Sequence, residues 1–281
     1  MKINNIQNNN VNRFNSFKAG LTAKIVREIS SVSTDKVSRE LEYQGIYSDF
    51  RNNKVVAWSC ACLVNMFNMI NKHTNQKLAL PKGIYICNFD NLNIQNSSMY
   101  GFCNLVPVKL YKNSEKIVPE QMLFFNENLL NEKWENINEI SDKRFFEKES
   151  ATDHFLDIFA HEFFHAVHEA NLKKVLSPKT LIKKLQSCNN ETKLKTYRDT
   201  YGDKVSTICE RAVHSPLEAV ACDMSRILLN NLDNNFKPKV DMFIGTPYEH
   251  LSFLQRILLP RYSSELIPLT ELLRNFWNGK F

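Results

Sequence analysis

Two histidines four residues apart, with a glutamate directly after the first, are the residues of this chain best placed to do chemistry. They are His161, Glu162 and His165 in the stretch HEFFH, which lies inside a strongly helical segment. Residues i and i+4 share one helix face, so both imidazoles can bind a single metal ion. Glu162 then projects beside the ion, where it can bind a water molecule. The alternative is a pair of ordinary core or surface histidines.

A catalytic zinc site has three protein ligands and leaves its fourth position to water, so a third ligand is required. Another histidine at the spacing typical of metzincins is excluded, because His168 occupies the glycine position of that pattern and Asn171 its final histidine position. Glu218, in the stretch SPLEAVACD over residues 215–223, is the best candidate. Small residues at positions 219 and 221 would let its helix approach the first one closely.

Glu218 has a second interpretation that involves no metal. Ser215, Pro216 and Glu218 have the spacing of a capping box, in which the glutamate only satisfies the amides at the start of its own helix. If Glu218 is only a cap, then Glu210, His214 and Asp223 are the remaining candidates for the third ligand.

HEFFH followed by a helix containing EAVACD resembles the zincin metallopeptidases of the gluzincin branch, which include thermolysin-like and anthrax lethal factor-like enzymes. The resemblance covers residues 150–225. It implies a metalloendopeptidase with one Zn²⁺ per chain, bound by His161, His165 and Glu218, and with Glu162 as the catalytic base. The chain departs from the thermolysin-like pattern at Cys222, where those enzymes have an aspartate. Asp223, one residue later, is a candidate to orient His161.

Further polar residues are candidates for supporting roles. Tyr201, Arg211 and His214 lie between the two ligand segments, and each could stabilise the oxyanion that develops during hydrolysis. Asp157 and His168 share the helical stripe of the two metal-binding histidines and could hydrogen-bond to them. The alternative for Asp157 and His168 is a buried, hydrogen-bonded polar pair.

Hydrophobic periodicity predicts the elements that position these residues. Helices are expected at 21–31 and 54–72, strands at 84–89, 103–111 and 121–125, and the HEFFH helix at 152–170, with Ser150 and Asp153 near its N-cap. Further helices are expected near 178–187, 191–212, 216–231, 249–258 and 263–277. Pro107 cannot donate to a ladder and therefore favours a sheet edge for the second strand. The order of elements predicts an α+β domain.

The resemblance refines this fold to a zincin-like one. It implies a small, mainly antiparallel sheet whose edge strand lies over the HEFFH helix and holds an extended peptide, followed by a helical lobe.

An Asn-rich tail at 1–18 is expected to be disordered. Residues 19–281 then form one domain, with an upper lobe of helices and sheet to about residue 170 and a helical lobe over 171–281. The apolar repeats after residue 250 predict core helices or, alternatively, a groove for a partner.

Composition narrows the class of protein. A hydrophobic fraction of 43 %, a charged fraction of 23 % and a dispersed net charge of +6 are typical of a soluble globular protein without a nucleic-acid partner. The seven cysteines form no C-x-x-C pair, which favours free thiols. No signal peptide or membrane span is visible, so a cytoplasmic location is expected, although non-classical export would leave no trace. The leading hypothesis is a zinc metallopeptidase acting on a peptide or protein, and the alternative is a non-catalytic binding protein with a zincin fold.

Overall fold

The computed structural model of the protein describes residues 23–73, 78–92, 99–109, 117–130, 133–233, 235–238 and 271–281. The tail predicted at 1–18 and the helix predicted near 249–258 lie outside these residues. None of the described helices is both long enough and apolar enough to cross a membrane.

Helices account for most of the residues that the structure describes, and they lie before, between and after the strands in sequence. Their bounds are α1 (23–31), α2 (Thr34–Tyr43), α3 (Lys54–His73), α4 (Trp134–Phe146), α5 (Asp157–Val175), α6 (Pro178–Ser187), α7 (Glu191–Val205), α8 (Pro216–Asn230) and α9 (Glu271–Trp277). Short 3₁₀ helices cover Asp90–Leu92 and Glu210–Val213. Helices α2 and α4 were not predicted from the sequence, and the helix predicted over 191–212 is wrong in its last part, because α7 ends at Val205.

The sheet has four strands in the order β1-β2-β4-β3, namely β1 (Tyr47–Asp49), β2 (Gly83–Cys87), β4 (Ile117–Asn126) and β3 (Gly101–Lys109). The β1–β2 and β2–β4 pairs are parallel, and the β3–β4 pair is antiparallel. The expectation of a mainly antiparallel sheet is therefore wrong, because two of the three strand pairs are parallel. Among the described residues β3 pairs with β4 alone, so it forms the edge that Pro107 predicted.

Helix α5 forms the centre of the molecule and is buried on almost every side. It packs against α8, α3, β3 and β4. Phe163 stacks on Phe67 of α3 with ring centroids 5.9 Å apart, and Phe159 meets Phe125 of β4 at 5.2 Å. Such a helix is held by tertiary contacts on all sides, so its polar side chains have fixed neighbours. The α+β class predicted from the order of elements is confirmed.

The start of α5 differs from the prediction. The helix begins at Asp157 and its N-cap position is Leu156, which makes no side-chain cap bond. Ser150 instead contacts the Asp157 carboxylate at 2.6 Å through its hydroxyl. The predicted capping role of Ser150 and Asp153 is therefore wrong, because residues 151–154 are not helical and the polar residues there bond across the turn.

The C-terminal helix closes the core on one side of α5. Leu273 and Phe276 of α9 are buried, and His168 of α5 donates from Nε2 to the Phe276 carbonyl oxygen at 3.1 Å. The described part of the segment predicted at 263–277 is thus a core helix over Glu271–Trp277.

Candidate metal centre

The first turn of α8 carries Glu218 and is fixed by a serine cap and a proline. Ser215 accepts a hydrogen bond from the Glu218 amide at 3.2 Å, and Pro216 occupies the first turn, where its missing N–H costs nothing. Ala219 and Ala221 are buried, and their small side chains allow α8 to pack closely on α5. The first turn of α8 therefore presents its glutamate to the HEFFH face.

Three side chains converge where α5 meets α8. The Nε2 atoms of His161 and His165 are 3.0 Å apart, and the Glu218 carboxylate oxygens lie 3.0 Å from His161 Nε2 and 3.4 Å from His165 Nε2. Among the described residues these three are the group of histidine, cysteine and acidic side chains that could hold a metal ion. The structure thus brings together the residues that sequence spacing singled out.

The separations suit a tetrahedral zinc ion. Ligand atoms about 2.0–2.1 Å from a tetrahedral zinc lie about 3.3 Å from one another, close to the three distances of the cluster. Two imidazole nitrogens and one carboxylate are also a donor set that zinc accepts at catalytic sites. His161 is almost fully buried, whereas His165 and Glu218 keep 14 % and 21 % of their side chains exposed. The centre can therefore be reached from one side.

Of the two residues that form a capping box, the serine acts as a cap here and the glutamate does not. The Ser215 hydroxyl does cap α8, as that interpretation requires. The Glu218 carboxylate, however, lies against the two imidazoles and accepts a hydrogen bond from Arg211 Nε at 2.7 Å. The glutamate is thus available as a ligand while its helix is capped by the serine.

Glu162 lies beside the cluster in an open cleft of about 490 Å³. Only 5 % of Glu162 is exposed. The cleft wall includes Gly101, at the start of edge strand β3, and a Cβ at that position would lie 3.1 Å from Glu162 Cγ and 2.9 Å from Phe125 Cδ1. Glycine is therefore what lets the edge strand approach the carboxylate this closely.

Arg211 links the two carboxylates of the centre. Besides donating to Glu218, its guanidinium lies 3.8 Å from Glu162 Oε1. Arg211 belongs to the 3₁₀ helix directly before α8, which Tyr197 anchors by donating to the Ala212 carbonyl oxygen at 2.9 Å. The arginine thus holds the orientation of Glu218 and places positive charge beside both carboxylates.

The pKa values within the cluster have opposing causes. Burial, strengthened by the Arg211 charge, holds the pKa of His161 well below its usual range. Burial also acts to lower the pKa of His165, but the charge and hydrogen bond of Glu218 and the charge of Glu162 together oppose burial, and the pKa is raised. For Glu218 burial acts to raise the pKa, but His165 and Arg211 together hold it well below the usual range.

Glu162 differs from Glu218 in its net shift. Burial raises the pKa of Glu162, and the nearby His165 and Arg211 charges only partly oppose it. A carboxylate with a raised pKa is a stronger base once ionised, and this is the property that proton abstraction from water requires. The two glutamates of the centre are therefore electrostatically distinct.

The other candidates from sequence divide into two groups. His214 is exposed and lines the same cleft as Glu162 and Arg211. Tyr201 instead packs against Phe276, with ring centroids 5.3 Å apart, and lines a separate cavity of about 330 Å³. The structure thus places His214 and Arg211 at the cleft beside Glu162 and places Tyr201 elsewhere.

The remaining polar candidates bond to partners outside the cluster. Asp223 pairs with Arg226 of its own helix and lines a different cavity, which none of the cluster residues lines. Asp157 lies 3.5 Å from Arg144 and bonds to Ser150. The expectation that Asp223 orients His161 is wrong, because the α8 side chain that contacts Nδ1 of His161 is Cys222.

Sequence reasoning missed three side chains at or near the centre. Cys222, not Asp223, lies against Nδ1 of His161, the ring nitrogen that faces away from His165 and Glu218. Arg144 of α4 and Tyr100, which precedes the edge strand, both line the cleft, and the arginine lies over the tyrosine ring. Cys222 could have been found, since it follows Glu218 by four residues on one helix. Nothing in the sequence places α4 at the cleft.

Comparisons of the chain with protein-family models, with curated proteins and with solved structures give no match. The resemblance to gluzincin metallopeptidases therefore rests on the HEFFH motif, on Glu218 and on the side-chain geometry described above.

Proposed function

We propose that this protein is a zinc-dependent metallopeptidase that hydrolyses peptide bonds in a peptide or protein substrate. The proposal is based on the convergence of three side chains, whose nitrogen and oxygen atoms are 3.0–3.4 Å apart, beside a buried glutamate in an open cleft. His161, His165 and Glu218 would hold the ion, and Glu162 would be the catalytic base. This arrangement leaves one side of the centre accessible, as a catalytic zinc site requires and a structural one does not.

A bound zinc ion would supply Lewis-acid chemistry, lowering the pKa of a coordinated water and polarising the carbonyl that is attacked. The protein's own residues perform the proton transfers. The Glu162 carboxylate accepts a proton from the attacking water and passes it to the leaving amine nitrogen. Arg211 keeps Glu218 oriented through its 2.7 Å hydrogen bond, and Arg211 or His214 can donate to the developing oxyanion.

The edge strand supports a peptide as the substrate class. Gly101 begins β3 and lines the cleft beside Glu162, and Tyr100 precedes it on the same wall. An extended peptide can add to a sheet edge by main-chain hydrogen bonds, which bind many sequences because they do not depend on side chains. The scissile bond would then lie next to the Glu162 carboxylate.

Metal dependence and cleavage together test the proposal. We expect one zinc per chain in the purified protein, cleavage of members of a broad peptide library, loss of both with a chelator, and recovery when zinc is added back. His161→Ala should bind no zinc, whereas His154→Asn, a substitution at a histidine outside the cluster, should bind one. A protein that binds zinc but cleaves nothing would favour the alternative, a non-catalytic binding protein with a zincin fold. A protein without zinc would refute the metal centre itself.

A further inference from the structure

The Nδ1 atom of His161, on the side of the ring away from the cluster, lies next to a cysteine. Cys222 Sγ lies 3.8 Å from His161 Nδ1, within the range of a hydrogen bond to sulfur. Both side chains are buried, with 1 % of His161 and 2 % of Cys222 exposed. The opposite nitrogen, Nε2, faces His165 and Glu218. His161 is thus fixed between a thiol on one side and the metal cluster on the other.

Helix α8 supplies a side chain to each of the two ring nitrogens of His161. Cys222 follows Glu218 by four residues, so both side chains lie on one face of α8, one turn apart. One helix therefore presents a carboxylate to Nε2 of His161 and a sulfur atom to Nδ1 of the same ring.

Metal-binding histidines usually donate their second ring N–H to a hydrogen-bond acceptor, which fixes both the tautomer and the ring orientation. A neutral imidazole has one N–H, so a lone pair on Nε2 that is free to bind a metal requires the proton to be on Nδ1. Among the described residues, Cys222 is the side chain within hydrogen-bond range of Nδ1. Sulfur is a weak acceptor, but in a buried site the alternative is an unpaired N–H.

We propose that Cys222 is a positioning residue, which accepts the Nδ1–H of His161 and so holds Nε2 in the metal-binding tautomer and orientation. The proposal rests on the proposed metal centre and adds to it a specific role for a buried thiol. It predicts that the hydrogen-bond acceptor at position 222, rather than the volume of the side chain, governs metal affinity.

The zinc dissociation constant, measured by competition with a chelating dye, tests this role. Cys222→Ala removes the acceptor and should weaken zinc binding by about 10-fold, the lower end of the range for partners of metal-binding histidines. Cys222→Ser keeps an acceptor and should bind zinc within about threefold of the wild type. Cys60→Ala, which removes another fully buried thiol on α3, is the matched control and should bind zinc as the wild type does.

The tautomer of His161 gives a second measurement that simple packing would not change. In ¹⁵N spectra of histidine-labelled protein, His161 should carry its proton on Nδ1, and exchange of that proton with solvent should be faster in Cys222→Ala than in Cys222→Ser. Should the alanine variant fail to fold, Cys222→Val, which also lacks an acceptor, replaces it.

The outcomes separate the two proposals. A wild-type protein that binds no zinc would overturn the metal centre, and the role of Cys222 with it. Zinc binding in the wild type with equal affinity in the acceptor-free variants, or a His161 protonated on Nε2, would overturn the role of Cys222 alone.

Discussion

His168 allows a quantitative test of the packing around the HEFFH helix. It is 1 % exposed, donates from Nε2 to the Phe276 carbonyl oxygen, and stacks on Trp277 with ring centroids 5.2 Å apart. Burial lowers its pKa from 6.5 to about 3. We therefore interpret His168 as a neutral structural residue that ties α5 to α9, and not as a partner of His161 and His165. Replacing His168 by glutamine (His168→Gln) retains a donor for the Phe276 carbonyl oxygen but removes the titratable group.

The dependence of stability on pH follows from the difference between the pKa of His168 in the folded protein and in the unfolded chain. Because the pKa of His168 is lower in the folded protein than in the unfolded chain, its stabilising contribution is complete above pH 6.5 and is lost as the pH falls towards 3. At pH 5 the unfolded chain binds this proton and the folded protein does not, which costs about 2 kcal/mol. The wild type should therefore lose about 2 kcal/mol more stability between pH 7 and pH 5 than the variant does.

The assay is urea denaturation of both proteins at pH 7 and pH 5, with a chelator present so that the metal cluster titrates alike in both. At pH 7 the variant should be less stable by about 1 kcal/mol because stacking on Trp277 is lost. Equal loss of stability on acidification in the two proteins would refute the assignment of a low pKa to His168. A large drop in zinc affinity in His168→Gln would refute its purely structural role.

Three further substitutions test the geometry of the centre. Glu218→Ala should strip most of the zinc from the purified protein, and full zinc occupancy by metal analysis would show that the glutamate is only a cap. Gly101→Ala should lower the free energy of unfolding, measured with urea, by about 1–3 kcal/mol and reduce cleavage, because its Cβ would lie 3.1 Å from Glu162 Cγ. Gly202→Ala is the control and should lose no stability, because its Cβ would lie 3.8 Å from the nearest atom. Equal effects of the two substitutions would contradict the close approach of β3 to Glu162. Arg211→Met should weaken zinc binding by about 10–100-fold, since Glu218 loses a 2.7 Å hydrogen bond, and an unchanged dissociation constant would contradict that role.

The local part of the candidate site could be predicted from sequence. Helical geometry alone places His161 and His165 on one face, and the structure has their Nε2 atoms 3.0 Å apart. Glu218 was ambiguous because a capping box and a metal ligand have the same sequence signature. Only the packing of α8 on α5 decides which way that carboxylate points. The prediction that Asp223 orients His161 was wrong because it also depended on which face of α8 packs on α5. One residue along a helix is a rotation of about 100°, so Cys222 and Asp223 point in different directions.

The fold was predictable where elements are long and strongly periodic. Helix α3 was expected over 54–72 and covers Lys54–His73, and Pro107 correctly indicated an edge strand. Strand β1 has only three residues, too few for a pattern to be visible. The parallel pairing of β2 with β4 joins strands that are separated along the chain by β3, and such long-range pairing leaves no local signal.

The role of Glu162 as catalytic base is tested most directly by the rate of peptide cleavage by zinc-loaded Glu162→Gln. Glutamine keeps the size and polarity of the side chain but cannot accept the proton, so zinc content should stay at one per chain. We expect cleavage to fall by about 10²–10⁴-fold. Glu169→Gln, on the same helix and hydrogen-bonded to Gln121, is the matched control and should cleave at the wild-type rate. Wild-type cleavage by Glu162→Gln at full zinc occupancy would contradict the proposed mechanism.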